Sequence, residues 1–201
     1  MSMRKKKCIN IALAKTENPI VQANTCDPPD FLKEHLYLLL TSLDGVRQNP
    51  RYHPEGDALY HSLQVFQLAH KACTDPELGA AALLHDIGKA VSTSDHAEIG
   101  ANELEGILSP HTVWLIRHHL DLLTAPRRTR HRLHNTPQLR DLELLRAWDL
   151  KGRSPHATVM APKEAINILI RHYFSQPLRN TAYRYPEKFC PSSHFLKKSD
   201  I

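Results

Sequence analysis

Four prolines constrain the fold of this chain more than any other feature. Pro76, Pro110, Pro137 and Pro162 each head a stretch whose apolar residues recur at spacings of three and four. Proline suits the first helical position because the N–H it lacks would have had no partner inside the helix. No stretch alternates convincingly with period two, so the chain reads as all-α. A further helix follows Pro29, where Phe31, Leu32, Leu36, Leu39, Leu40 and Leu43 keep the same rhythm. Residues 45–56, with two glycines and two prolines, interrupt it, and Asp57 is placed to cap a helix over 58–73. Asp75-Pro76-Glu77 opens a third helix, predicted to reach Ile87 and stop at Gly88. Ser92-Thr93-Ser94-Asp95 caps a fourth over about 96–108, and Ser109-Pro110 starts a fifth carrying Val113, Leu115, Ile116 and Leu120. The basic stretch 121–134 allows no clear assignment. Pro137 begins a helix ending near Leu150, and Pro162 begins another with Ile166, Leu169, Ile170 and Tyr173. The organisation that follows is a loosely ordered arm over 1–28, one helical domain over 29–175, and an irregular tail over 176–201.

Composition narrows the class. With 201 residues, 41% hydrophobic and 23% charged, the chain suits one soluble domain with a real core. No apolar run approaches the roughly 20 residues of a membrane span. The N-terminal MSMRKKKCINIALAK has only a brief apolar stretch, interrupted by Asn10, which is short for a secretory segment. Cys8, Cys26, Cys73 and Cys190 form no CxxC pair, and a chain of this size needs no disulfide staples. Reduced thiols and a cytoplasmic location are the expectation. The net charge of +5 gathers in runs at 4–7, 127–132 and 197–198. Such runs usually form solvated surface, so nucleic acid is a possible partner but not an indicated one. Nothing in the pattern fixes the oligomeric state.

The chain has 14 histidines, and their placement on helix faces is informative. His61 shares a face with Val65, Leu68 and Ala72, at offsets of four, seven and eleven. His85 follows Leu78, Ala81 and Ala82 within a run of small and apolar residues. Asp149 lies four and seven positions after Leu145 and Leu142. All three are predicted to point into the bundle. Each alone has a plainer explanation, as a hydrogen-bonded core histidine or a carboxylate at a helix end. Together they ask for compensation, because an unpaired buried carboxylate is expensive. A divalent cation held by groups from several helices supplies it.

The joint pattern goes further. His85-Asp86-Ile87-Gly88-Lys89 ends a helix, His61 precedes it by 24 positions, and Asp149 follows Asp86 by 63. This arrangement resembles the H…HD…D signature of the HD superfamily, over roughly residues 50–160. The resemblance implies a helical bundle with metal held by His61, His85, Asp86 and Asp149. Two more segments resemble its two-metal branch: His96-Ala97-Glu98-Ile99-Gly100-Ala101, and Ile116-Arg117-His118-His119. They imply His96 and His119 as ligands of a second cation, with His118 the competing neighbour of His119, and Asp86 as the bridge. Two such cations, about 3.5–4 Å apart, can activate a hydroxide and clamp a phosphoryl group. Iron, manganese or another transition metal suits the mixed donor set. Tyr52-His53-Pro54-Glu55-Gly56-Asp57 resembles a stretch in the HD domains of tRNA nucleotidyltransferases and is expected to wall the pocket.

Two enzymatic readings follow from the resemblance. The first is a metal-dependent phosphohydrolase acting on a small phosphorylated substrate, such as a nucleotide. Asp86 and Lys89 would be its catalytic residues, with Lys89 and Arg153 binding the phosphate. The second is a di-iron oxygenase similar to myo-inositol oxygenase and the phosphonate-cleaving HD oxygenases, favoured by His61-Ser62-Leu63-Gln64 and Leu145-Arg146-Ala147-Trp148-Asp149. That group usually has histidine where Lys89 stands and glutamine where Ala58 stands. The hydrolase is therefore the preferred expectation. A metal-stabilised binding module without catalysis is the third.

Overall fold

The computed structural model describes residues 30–73 and 75–175. The N-terminal arm, the C-terminal tail and the basic runs at 4–7 and 197–198 lie outside the described residues. The described elements are α1 (Asp30–Thr41), α2 (Ala58–Ala72), α3 (Pro76–Leu84), α4 (His96–Leu104), α5 (Pro110–His118), α6 (Asp121–Thr124), α7 (Pro126–Arg132), α8 (Pro137–Lys151) and α9 (Pro162–Ser175). A single 3₁₀ turn, Ile87–Ala90, separates α3 from α4. Among the described residues there is no strand, only two isolated bridges, Arg47 with Asp57 and Glu105 with Leu108. The fold is all-α, as the proline-headed periodicities require.

Three of the proline starts carry the same chemistry. Asp75, Ser109 and Thr136 stand as caps before Pro76, Pro110 and Pro137, and their side-chain oxygens accept backbone N–H groups of the first turn. Asp57 caps α2 through Oδ1 to the Tyr60 N–H, while its Oδ2 accepts the Gly45 N–H at 2.8 Å. One carboxylate thus starts the helix that carries His61 and also pins the 45–56 loop.

α3 sits in the middle, against α2, α5, α8 and α9, while α4 packs on α5 and α1 on α9. Its small-residue run explains this position. Ala80, Ala81 and Ala82 are fully buried and let neighbouring helices approach closely. Leu36, Leu40, Leu83, Leu84, Leu115 and Ile116 fill the surrounding core.

Several boundaries differ from the sequence expectation. α3 stops at Leu84 rather than Ile87, and the chain tightens into the 3₁₀ turn. Close packing accounts for the change: a Cβ on Gly88 would lie 2.2 Å from the His96 carbonyl oxygen. α4 ends at Leu104, four residues early, and Gly106 turns the chain at φ +78°. The unassigned basic stretch forms two short helices, α6 and α7. Phe31, expected on the buried face of α1, is 53% exposed.

Candidate metal centre

Three helix ends and two helix starts bring the expected ligands together. His61 lies in the first turn of α2, and His85 and Asp86 follow the last turn of α3. His96 opens α4, His119 ends α5, and Asp149 sits in the last turn of α8. All six are buried, the most exposed at 6%. Helix termini place side chains at the meeting point of several elements without interrupting a helix interior.

The histidines are oriented by their other nitrogen. Nδ1 of His85 donates to the Ala82 carbonyl at 3.1 Å, that of His96 to Thr93 at 2.7 Å, and that of His119 to Ile116 at 2.6 Å. His61 shares its Nδ1–H between the Gly152 carbonyl at 3.0 Å and Glu55 Oε1 at 2.8 Å. In the neutral ring this leaves Nε2 as an acceptor, and in all four residues Nε2 points inward. The approach of α8 to α2 that supports His61 depends on glycine, since a Cβ on Gly152 would lie 2.6 Å from Val65 Cγ2.

Asp86 stands between two sets of these nitrogens. Its Oδ2 lies 3.4 Å from His85 Nε2 and 3.9 Å from His61 Nε2. Its Oδ1 lies 3.3 Å from His96 Nε2 and 3.8 Å from His119 Nε2. Two groups, His61–His85–Asp86 and Asp86–His96–His119, each have ligand atoms within 4.8 Å of one another. They share only Asp86. Asp149 approaches the first group, with Oδ1 3.3 Å from His61 Nε2.

The donor set fits a cation. His61 Nε2 is buried and makes no hydrogen bond. His96 and His119 face each other Nε2 to Nε2 at 3.2 Å, which leaves two inward lone pairs opposed unless a proton or a cation lies between them. Without metal the carboxylates are balanced by Lys89, Arg146 and Arg153 and by a proton on His61. Burial works against charging His61, yet the carboxylates of Asp149, Glu55 and Asp86 raise its pKa to about 9. Burial pushes His85 down to about 3, with Asp86 opposing the shift. Burial likewise lowers His119. Asp86 stays ionised well below the usual carboxylate range: burial disfavours its charge, but His85, Lys89 and His96 outweigh it. Asp149 is also held down, by His61, His85 and Arg153 against burial.

The expected phosphate-binding cations have other partners here. Lys89 Nζ lies 2.6 Å from both Asp86 Oδ2 and Gln48 Oε1. Arg153 Nη2 binds Asp149 Oδ1 at 2.9 Å, its Nε binds the Asp149 carbonyl, and its Nη1 binds the Tyr52 carbonyl. Arg146 Nη1 takes the other Asp149 oxygen at 2.5 Å. Lys89, Arg146 and Arg153 all line a cavity of about 310 Å³ that opens onto Asp86, His96 and His119. His53 lines it too, in keeping with the expected pocket wall.

His118 differs from its neighbour. Its Nδ1 meets Asp121 Oδ2 at 3.1 Å and its ring packs 4.7 Å from Trp114, so His119 alone of the pair faces Asp86. Sequence reasoning missed Arg146 and Gln48. Arg146 had a usable signal, its position three residues before Asp149 on one helix. Gln48 had none, because the folded 45–56 loop alone brings it near Lys89. Glu55 was assigned to the pocket wall, whereas its side chain is fully buried against His61 and His53.

Comparison with known proteins matches the stretch of chain that carries these residues. The family model described as "HD domain" matches residues 58–154. A "Multifunctional CCA protein" of Acinetobacter baumannii (strain AYE) is 39% identical over 62 residues, 31% of this chain and 15% of that protein. Proteins of the same description from Methylococcus capsulatus and Hahella chejuensis are 42% identical over 59 residues and 43% over 56. Those two matches cover 29% and 28% of this chain, and 14% and 13% of the relatives. The chain thus matches only a small part of the length of these relatives.

Proposed function

The protein carries an HD domain over residues 58–154, and from that premise we propose that it is a phosphohydrolase using two divalent metal ions to cleave a phosphate ester. The observation that carries the reading is the position of Asp86, whose two oxygens face separate histidine groups beneath a cavity rimmed by Lys89, Arg146 and Arg153. Cations at such a pair of sites supply Lewis-acid activation of water and of a phosphoryl group. His61, His85 and Asp149 would hold one, His96 and His119 the other, and Asp86 both.

The remaining residues orient and balance these groups. Arg146 and Arg153 fix the Asp149 carboxylate from two sides, and Lys89 with Gln48 does the same for Asp86. Histidine ligands whose second nitrogen is anchored lose little freedom on binding metal. Lys89 has three N–H groups and engages two here, so the third is available to a phosphate oxygen. The guanidinium groups of Arg146 and Arg153 add positive charge on the same rim, where a dianionic phosphate gains most. An ammonium on the bridging carboxylate also favours hydrolysis over the oxygenase alternative, whose members usually have histidine at this position.

Metal analysis of anaerobically purified protein, combined with a panel of phosphate mono- and diesters, tests the reading. Turnover that depends on manganese, cobalt or nickel is the expected result. Two irons per chain, inert phosphate esters and oxygen consumption with an organic substrate would replace it by the oxygenase. Lys89→Ala is expected to lower kcat/KM for a phosphate ester by roughly 10²–10³, the scale for losing one pre-organised donor.

A further inference from the structure

The basic segment that began as an unassigned stretch folds into a ridge beside the cavity. In α7 only Thr129 is buried, and its hydroxyl donates to the Asp121 carbonyl at 3.2 Å. Arg127, Arg128, Arg130, His131 and Arg132 are all exposed. With 100° between successive residues, Arg127 and His131 crown the side opposite Thr129, and Arg128 with Arg132 occupies one flank. Arg132 pairs with Asp121 and Arg130 with Glu143, but Arg127 and Arg128 form no ion pair with any described residue. Two cationic groups, one on the crest and one on the flank, have no ion pair among the described residues.

Position gives this charge a use. α7 packs on α6, and Leu120 and Leu123, flanking and within α6, line the metal cavity. On its other side Arg130 reaches Glu143, one turn before Arg146 on α8, and Arg146 lines the same cavity. A partly exposed aromatic strip, with Trp114 packed against the core, adjoins the ridge. Trp114 stacks with His111, their planes 7° apart, and packs 4.7 Å from His118. His118 shares Asp121 Oδ2 with Arg132. The end of α5 therefore faces the candidate metal site with His119 and the strip with His118.

Resting on the phosphohydrolase reading, we propose that α7 and the His111–Trp114–His118 strip dock a single-stranded polynucleotide and deliver its phosphate-bearing end to the metal cavity. Arginine forks match phosphate oxygens, and aromatic faces accept unpaired bases of any sequence. A membrane surface fits poorly, because the exposed face of α7 has no apolar residues to insert. An acidic peptide would satisfy the arginines but make no use of the aromatic edges beside them.

The test is fluorescence anisotropy of the full-length protein with a labelled 12-nucleotide oligouridylate from 50 to 300 mM salt. Wild type is expected to bind with a salt slope that Arg127→Glu/Arg128→Glu lowers by roughly 1.4, at about 0.7 per phosphate contact on a single strand. At 50 mM salt the same change corresponds to roughly 50–100-fold weaker binding. The double variant should keep wild-type helicity and wild-type turnover of a small phosphate ester. Unchanged binding and slope in the variant would overturn the proposal, as would tighter binding of a duplex of equal length. Equal binding to phosphatidylserine vesicles, lost in the same variant, would also overturn it. If small esters are hydrolysed but no oligonucleotide binds, the ridge proposal fails and the hydrolase stands. If the oligonucleotide binds as expected but no phosphate ester is hydrolysed, the hydrolase reading fails alone.

Discussion

Among the described residues, the polar cluster around Asp86 and the one around Glu77 are both buried, and they are built on opposite principles. Around Asp86, four histidine nitrogens and two carboxylates converge, and His61 Nε2 has no hydrogen-bond partner. At the α3–α5–α9 contact, Glu77, Ser109, Thr112 and Tyr173 bond to one another. The Ser109 N–H donates to the Tyr173 hydroxyl at 2.6 Å, the Ser109 hydroxyl donates to Glu77 Oε1, and Thr112 Oγ1 lies 3.2 Å from the Tyr173 oxygen. There only Glu77 Oε2 is left without a partner. In the second cluster every other polar group finds its partner within the cluster. The first gathers inward-facing histidine nitrogens that Lys89, Arg146 and Arg153, bound to the carboxylates, do not satisfy. Burial alone does not separate structural polarity from functional polarity; the balance of donors and acceptors does.

Asp86→Ala should break this contrast most severely. Removing the one residue common to both histidine groups is expected to abolish bound transition metal, measured by elemental analysis, together with all turnover. Retention of full metal content would move the centre elsewhere. A pH titration of metal affinity comes next. Below about pH 9, His61 carries a proton that an incoming cation must displace. Affinity should therefore fall as pH falls, about tenfold per unit for one displaced proton, and loading at pH 7.5 should release acid to a weakly buffered indicator. Affinity independent of pH between 6 and 8 would contradict the proton balance drawn for His61. Glu55→Ala removes one of the two anchors behind His61, together with its contact to His53, and is expected to cost 10–100-fold in metal affinity, the range for losing a support of a ligand.

The self-contained cluster should respond in the opposite way. Tyr173→Phe leaves the Ser109 N–H buried without its acceptor, at a cost of about 1–3 kcal/mol in folding stability. Urea unfolding of the apo-protein should show that loss, while metal content per folded chain stays at the wild-type value. A drop in metal content of the folded protein would mean that the two clusters are coupled through α3 and α5.

The difference between the clusters also explains what could be read in advance. His61, His85 and Asp149 were legible because each places a polar group on an apolar helix face, and Asp86 because it completes a familiar run. Helix starts were legible through their prolines and caps. The satisfied cluster was not, because Ser109 and Thr112 look like ordinary residues at a helix start and Tyr173 like ordinary core. Their pairing joins residues 77, 109 and 173, and only the fold brings them together. The partners of Lys89 and Arg153 were hidden for the same reason. Sequence placed both cations near the site, but the loop carrying Gln48 and the side-chain reach to Asp86 and Asp149 depend on tertiary contacts.

His118→Ala should have the smallest effect, and it tests the boundary of the metal centre at single-residue resolution. His118 and His119 are adjacent in one chain segment, and a helical step of about 100° sends them to different surroundings. His119 is buried beside His96 and Asp86, whereas His118 is half-buried beside Trp114 and Asp121. Replacing His118 removes one partly exposed contact to Asp121, a carboxylate that keeps Arg132 as a partner. Such surface contacts are worth about 0–1 kcal/mol. Metal content and turnover of a small phosphate ester should therefore remain within about twofold of wild type, while His119→Ala should lose the second cation. The reverse result, metal lost from His118→Ala and kept in His119→Ala, would mean that α5 is rotated by one residue relative to this arrangement. His118 would then belong to the metal centre and His119 to the surface strip.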